Sequence, residues 1–307
     1  MTLAAQIVAA KEAQVGREQI RGMAVPVVNA RPEFLGVAVA FEPNGYDGKD
    51  ETYRAEGKEH DEAGRFAPYY YKLENGDVAT DLMAMAVEAG IEGWYLEPLH
   101  RKTPMLVGPY IYPVNGVDVS LVSICVPLLS DGVTFGIVTV DLVMTELLRD
   151  LGAARLLETE QVAVLSDDEI WLRHPDPKRL ATGLMEEVGQ GGTAGNAGFD
   201  EAALAAAYRS YQAAQPAAPQ FVEQPDGTGF YFVPVTFAGL SERWTLIATA
   251  PKGGFLAASP ASLSAPGLAL VGAAVGLIIL FFFLRQRSPA RAGNAQSRPR
   301  SRAVERR

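Results

Sequence analysis

The chain has 307 residues, 48% of them hydrophobic and 21% charged, which is enough apolar material for more than one buried core. Its net charge of −9 argues against nucleic acid, and against an anionic membrane surface, as partners of the main body. The single cysteine, Cys125, sits in an apolar strand-like run and excludes an internal disulfide and any cysteine-based metal site.

In residues 2–24, Leu3, Ile7, Val8, Val15, Ile20 and Met23 recur at helical spacing among many alanines, predicting one long helix that Pro26 ends. Within a segment 1–31 this helix reads equally as a stalk or dimerisation element and as a packed helix. Residues 35–41 predict a strand, and 42–50 are turn chemistry whose acids lack the residue order of a calcium loop. Residues 60–71 combine His60 and neighbouring acids with a tyrosine run. His100 and His174 lie too far off to give ligand spacing, so neither a metal nor a cofactor is expected. Residues 81–89 predict a helix, with Trp94 and Tyr95 on the loop after it.

Residues 103–141 predict a meander, with strands over 103–112, 117–128 and 134–140 and a turn at Ser130, Asp131 and Gly132, hence an antiparallel sheet. The last run, GIVTVDL, closes on Asp141. A carboxylate in so apolar a segment is costly to bury unless a donor or a cation meets it. Trp94, Tyr95, Tyr110 and Tyr112 lie in the same stretch, and aromatic faces beside a carboxylate suit a small cationic group. Asp141 is equally placed to cap a helix predicted over 142–157, and one side chain can serve both roles.

A second round follows, with a hairpin over 161–165 and 169–173, a glycine-rich stretch 189–198, a helix 200–211 and strands 229–237 and 244–250. Val126-Pro127, a turn and 136–141 parallel Val233-Pro234, a turn and 244–249, so two related modules stand in tandem, over 32–150 and 151–258. In that alignment Thr249 replaces Asp141, leaving the charged group in the first copy only. Helices beside antiparallel strands predict an α+β fold.

Residues 266–284 carry no charge, span roughly the 30 Å of bilayer hydrocarbon as a helix and are apolar on every face, predicting a transmembrane segment over 259–285. The last 23 residues hold eight arginines and one glutamate, a net +7, so the preceding 284 carry −16. Arginines directly after the span place a basic, disordered tail, 286–307, in the cytoplasm and residues 1–260 outside a single-pass plasma membrane protein. The first residues have neither a basic leader nor a long apolar core, so a signal anchor upstream of Met1 is expected.

The series FLGVAVAFEPNGYDGKD, HDEAGRFAPYY, GWYLEP, GPYIYPVNGVDVSLVSICVPL and GIVTVDL resembles the double Cache (dCache) sensor domain of bacterial methyl-accepting chemotaxis receptors and related sensor kinases, over roughly residues 5–285. The resemblance implies a stalk helix through which the chain forms a homodimer, a membrane-distal PAS-like module that binds a small ligand, a membrane-proximal module and an exit helix. It implies chemotaxis or transmembrane signalling without catalysis. Amino-acid-sensing members carry an arginine two residues before the Trp-Tyr pair and an aspartate two residues after the tyrosine matched by Tyr110. Here these positions are Glu92 and Tyr112, while Trp94, Tyr95, Tyr110 and Asp141 match. Losing the carboxylate clamp forfeits about 1.5–3 kcal/mol, roughly ten- to a hundredfold in affinity.

The expected ligand is therefore an amine or an amino-acid-like molecule, held by Trp94, Tyr95, Tyr110, Tyr112, Asp141 and Glu92, with Glu92 as a second anion. The 20 residues after Arg287 leave no room for the family's output parts, so a separate output chain or domain is expected. Two alternatives stand beside this reading. One is an anchored extracytoplasmic hydrolase using carboxylate acid/base chemistry, though G-x-S-x-G, H-E-x-x-H and a phosphate loop are all missing. The other is a module that binds another protein through an apolar patch.

Overall fold

The computed structural model describes residues 2–54, 56–83, 85, 92–144, 162–185, 201–214, 218–225, 227, 229–237 and 239–250. The predicted transmembrane segment and basic tail lie outside these residues. Among the described residues no helix is long and apolar enough to cross a membrane.

The N-terminal segment is two helices rather than one, α1 (Leu3–Glu12) and α2 (Ile20–Val28), joined by a 3-10 turn over Arg17–Gln19. The break falls at Gln14, which has φ 55°, and Gly16 is extended. Distant polar partners account for it. Arg17, only 1% exposed, binds Asp47, Asp50 (2.6 Å) and the Gly64 carbonyl (2.9 Å), and Lys11 donates to the Gly45 carbonyl at 2.8 Å. Pro26 does not end the helix; it lies inside α2, two residues before its last residue, at the cost of one bond of the ladder. Leu3, Ile7 and Ile20 of the predicted helical pattern are buried in the core against the sheet, together with Ala24 and Val28.

Among the described residues, eleven strands form two antiparallel sheets. The first, in order β3-β2-β1-β6-β5-β4, draws on β1 (Phe34–Phe41), β2 (Pro68–Lys72), β3 (Val78–Leu82), β4 (Met105–Val114), β5 (Val117–Ser130) and β6 (Val133–Val143). The second, β8-β7-β11-β10-β9, draws on β7 (Val162–Leu165), β8 (Trp171–Arg173), β9 (Gln220–Glu223), β10 (Gly229–Thr236) and β11 (Arg243–Ala250). Leaving out edge strand β3, both sheets read second, first, fifth, fourth, third in chain order. The register repeats as well: Pro127 faces Ile137 and Pro234 faces Thr245, as the sequence echo requires. Short helices α3 (Glu97–Arg101) and α4 (Glu201–Ala214) complete the described elements.

Two further expectations change, and the tyrosine run gains an element. Residues 78–82 pair with β2 as a strand where a helix over 81–89 is predicted; the Asp81 carboxylate accepts from the Tyr71 hydroxyl at 2.8 Å across that pair, and 86–91 lie outside the described residues. The helix predicted from Leu142 does not start there, because β6 runs on to Val143, with 145–161 outside the described residues. The tyrosine run is a full strand, β2, paired with β1 through Gly36–Tyr71, Val37–Tyr70 and Ala38–Tyr69.

The period of two separates the faces of the first sheet. Val37, Val39, Phe41, Val138, Val140 and Leu142 join the helix-side core, which continues into Val164, Val233 and Trp244 of the second sheet. Ala38, Ala40, Tyr69, Tyr71, Leu121, Cys125 and Ile137 face the other way. Large aliphatics fill the helix side. The opposite face carries Gly36, Ala38 and Ala40, small enough to leave room above the sheet.

Because Arg17 neutralises the buried Asp50, Arg17→Ala should leave that carboxylate unpaired and cost about 3–5 kcal/mol, seen as an earlier midpoint in urea unfolding. An unchanged midpoint would mean the N-terminal segment is not held by this pair.

Candidate functional site

Asp141 lies in the middle of the first sheet, facing Gly36 on β1 and Ser123 on β5. It is only 6% exposed and belongs to strand, not to a helix start, so the capping role is not one the structure assigns to it. Its Oδ1 accepts from the Ser123 hydroxyl at 2.6 Å and, more weakly, from the Thr139 hydroxyl at 3.3 Å. Among the described residues no lysine or arginine pairs with it.

A small cavity, open at its mouth, adjoins this carboxylate and is lined by Met83, Trp94, Tyr110, Tyr112, Ser123, Thr139 and Asp141. Tyr110 enters through a bulge: the β4–β5 register shifts between Val107 and Tyr110, across Gly108 with φ 115°. The Tyr110 hydroxyl then meets Ser123 Oγ at 2.5 Å. Tyr112 directs its hydroxyl at the Met83 sulfur, 4.0 Å away. Trp94 comes from a π-helical turn, Glu92–Leu96, that packs over β5.

Burial pushes the Asp141 carboxyl above its usual 3.8, and hydrogen bonds from Ser123 and Thr139, with the nearby Tyr69 hydroxyl, pull it part of the way back. The same carboxylate raises its neighbours: burial first, then its charge, holds the Tyr69 and Tyr110 phenols and the Cys125 thiol well above their ordinary values, and lifts Tyr112 less. The site is thus an uncompensated anion inside a sleeve of hydroxyls and rings.

Of the residues expected in the site, Trp94, Tyr110, Tyr112 and Asp141 converge on the cavity. Tyr95 is not among its lining residues. Its hydroxyl lies between the Glu42 carboxylate and the Arg65 guanidinium, with Arg65 also stacked 5.0 Å from its ring, so it anchors the turn that carries Trp94. Glu92 begins that turn, and its side chain lies outside the described residues. Ser123, Thr139, Met83 and Tyr69 are not singled out by the sequence; each reads as ordinary strand or loop until the register brings it to Asp141.

Residues 23–149 match the model of the methyl-accepting chemotaxis protein-like first PDC sensor domain. Over 163 residues the chain is 29% identical to the methyl-accepting chemotaxis protein TlpQ of Pseudomonas aeruginosa. That match takes in 49% of this chain and 23% of TlpQ, so the chain spans under a quarter of the curated relative. The extracellular domain of the histidine kinase mmHK1S-Z3 superposes with a TM-score of 0.62 at 23% identity, covering 83% of this chain and 88% of that one. Methyl-accepting chemotaxis protein X gives 0.59 at 20% identity, covering 81% and 91%. These solved structures share the fold. Residues 23–149 are thus similar to the methyl-accepting chemotaxis protein-like first PDC sensor domain, and the fold is the one shared by the extracellular domain of that histidine kinase and by that chemotaxis protein.

Proposed function

We propose that this chain is a membrane-anchored, extracytoplasmic sensor whose first sheet binds a small amine, with Asp141 as the counter-ion, and signals for chemotaxis or transmembrane control. One observation carries the reading: a carboxylate buried beside an open cavity, hydrogen-bonded by hydroxyls only, with no cation from the described residues to neutralise it. A cationic ligand supplies what the protein leaves out, while Trp94, Tyr110 and Tyr112 offer ring faces to the same charge. The lining contains no arginine or lysine to clamp a carboxylate. An amine without an acid group is favoured over an α-amino acid. The uncharged run 266–284 serves as the anchor.

Calorimetry with a panel of alkyl- and arylamines, set against the carboxylic acids of the same skeletons, checks this assignment. The wild-type chain should bind at least one amine and none of the acids, and Asp141→Asn should weaken that amine by about ten- to a hundredfold. The same substitution should raise the melting temperature of the ligand-free protein, since it removes a desolvated charge. An Asp141→Asn protein with undiminished amine affinity would remove the carboxylate from the site.

The pH dependence has a fixed sign. The folded-state pKa of Asp141 lies above its unfolded value, so ionisation opposes folding at pH above the raised pKa, and this cost vanishes below 3.8. Amine binding needs the ionised form. Affinity should be flat above that raised pKa and fall about tenfold per unit once the pH drops below it, with protons released on binding there. Affinity that climbs as the solution is acidified would contradict an ionised Asp141 as the anchor.

A further inference from the structure

Tyr69 is not among the lining residues, yet it reaches toward the carboxylate from β2, across the intervening β1. It is 3% exposed, and its hydroxyl is buried without a partner in hydrogen-bond geometry, although it lies close enough to Asp141 to perturb it. A buried phenol oxygen left unpaired is unfavourable, so the position needs a reason. Its seat is built for it. Gly36, the β1 partner of Asp141, leaves the space the ring occupies; a Cβ there would stand 2.5 Å from the Tyr69 Cζ and hydroxyl oxygen. Tyr71 stacks on the ring at 5.5 Å and Tyr112 meets it edge-on at 6.4 Å.

The groups facing Asp141 are Tyr69 from β2, Tyr110 and Tyr112 from β4, Ser123 and Cys125 from β5 and Thr139 from β6, and none is cationic. Ser123 and Thr139 both go to Oδ1, and no described side chain donates to Oδ2 within hydrogen-bond geometry. Tyr110 is engaged with Ser123 and Tyr112 with the Met83 sulfur. Among the three tyrosines, only Tyr69 has an uncommitted donor.

We infer that Tyr69 is a positioning residue of the site: its hydroxyl, seated over Gly36, keeps Asp141 charged while the site is empty and so sets the lowest pH at which the sensor takes up a cation. The hydroxyl lies beside the carboxylate, and its dipole acts on the charge there without a formed hydrogen bond. The role rests on the amine reading for its consequence, but the effect on the carboxylate can be measured without a ligand.

The full chain, labelled with carboxyl-¹³C aspartate and reconstituted in lipid nanodiscs, gives the Asp141 titration directly, its signal identified by loss in Asp141→Asn. Tyr69→Phe should raise the apparent pKa by about one unit, a tenfold shift toward the protonated form at a given pH. Replacing Tyr69 with 3-fluorotyrosine, a stronger donor, should lower it. If neither substitution moves the titration, the inference is overturned; if Tyr69→Phe loses its cooperative thermal transition, the fluorotyrosine protein decides alone. Ethylammonium binding is followed by calorimetry across the same pH range, and its acid limit should shift with the carboxyl titration in each variant. A titration that shifts while the ethylammonium limit stays put also overturns the inference. Should the wild type bind no alkylammonium ion at all, the proposed function fails, and the carboxyl titration still judges Tyr69.

Discussion

A carboxylate in the middle of an antiparallel sheet, with neighbours on both sides, has no route to water except through the cavity above it. The first sheet is organised around that constraint at Asp141. Each strand that reaches the position contributes something an anion tolerates: a glycine from β1, tyrosines from β2 and β4, serine from β5 and threonine from β6. Hydroxyls lower the cost of burying the charge without cancelling it. A lysine or arginine would give a closed ion pair, and a leucine a closed core; neither would leave an affinity to be satisfied from outside.

The second sheet shows what the same strand order does without that demand. In matching register, Phe230 stands where Ser123 does, Ile247 where Thr139 does and Thr249 where Asp141 does. Phe230, Phe232, Ile247, Tyr208 and Tyr211 pack there into an apolar core with Trp171 and Leu204. Of its three matched polar positions one has become a ring and one an aliphatic side chain, and rings pack around them. One topology thus gives an anionic cavity or a packed core according to a few side chains on one face, as expected when function resides in the site and not in the fold.

The meander of the first sheet is legible in the sequence because its strands alternate and its turn residues are unambiguous; Asp131 and Gly132 both adopt positive φ, as a tight hairpin requires. Asp141 stands out for a related reason, a charge in a run otherwise apolar. Less legible is whatever depends on a partner far along the chain. In Tyr69, Tyr70 and Tyr71 three identical residues alternate between faces with no change in polarity, so the period that marks a strand is hidden. Trp94 and Tyr95 are adjacent in the sequence, yet one lines the cavity and the other is taken by Glu42 and Arg65. The break between α1 and α2 answers to Asp47 and Asp50, some thirty residues away. Ser123 and Thr139 become part of a site only once strand register sets them beside Asp141.

The same long-range contacts join the site to the N-terminal helices. Tyr95 anchors the turn bearing Trp94 to Glu42 and Arg65, and Arg65 also donates to the Phe41 carbonyl at 2.5 Å, at the end of β1. The loop that begins at Glu42 is bound at Gly45 and Tyr46 by Lys11 of α1, at Asp47 and Asp50 by Arg17, and through the Tyr46 hydroxyl to the Val15 carbonyl at 2.9 Å. A cavity wall and the hinge between α1 and α2 are therefore fastened to one short stretch of chain, largely by bonds that involve a charged group and are the more resistant to stretching for it. On its helix side the sheet is close-packed against α1 and α2, so little loose side-chain volume lies along that route. On the proposed reading, a ligand that holds Trp94 against Asp141 would therefore act on α1 and α2.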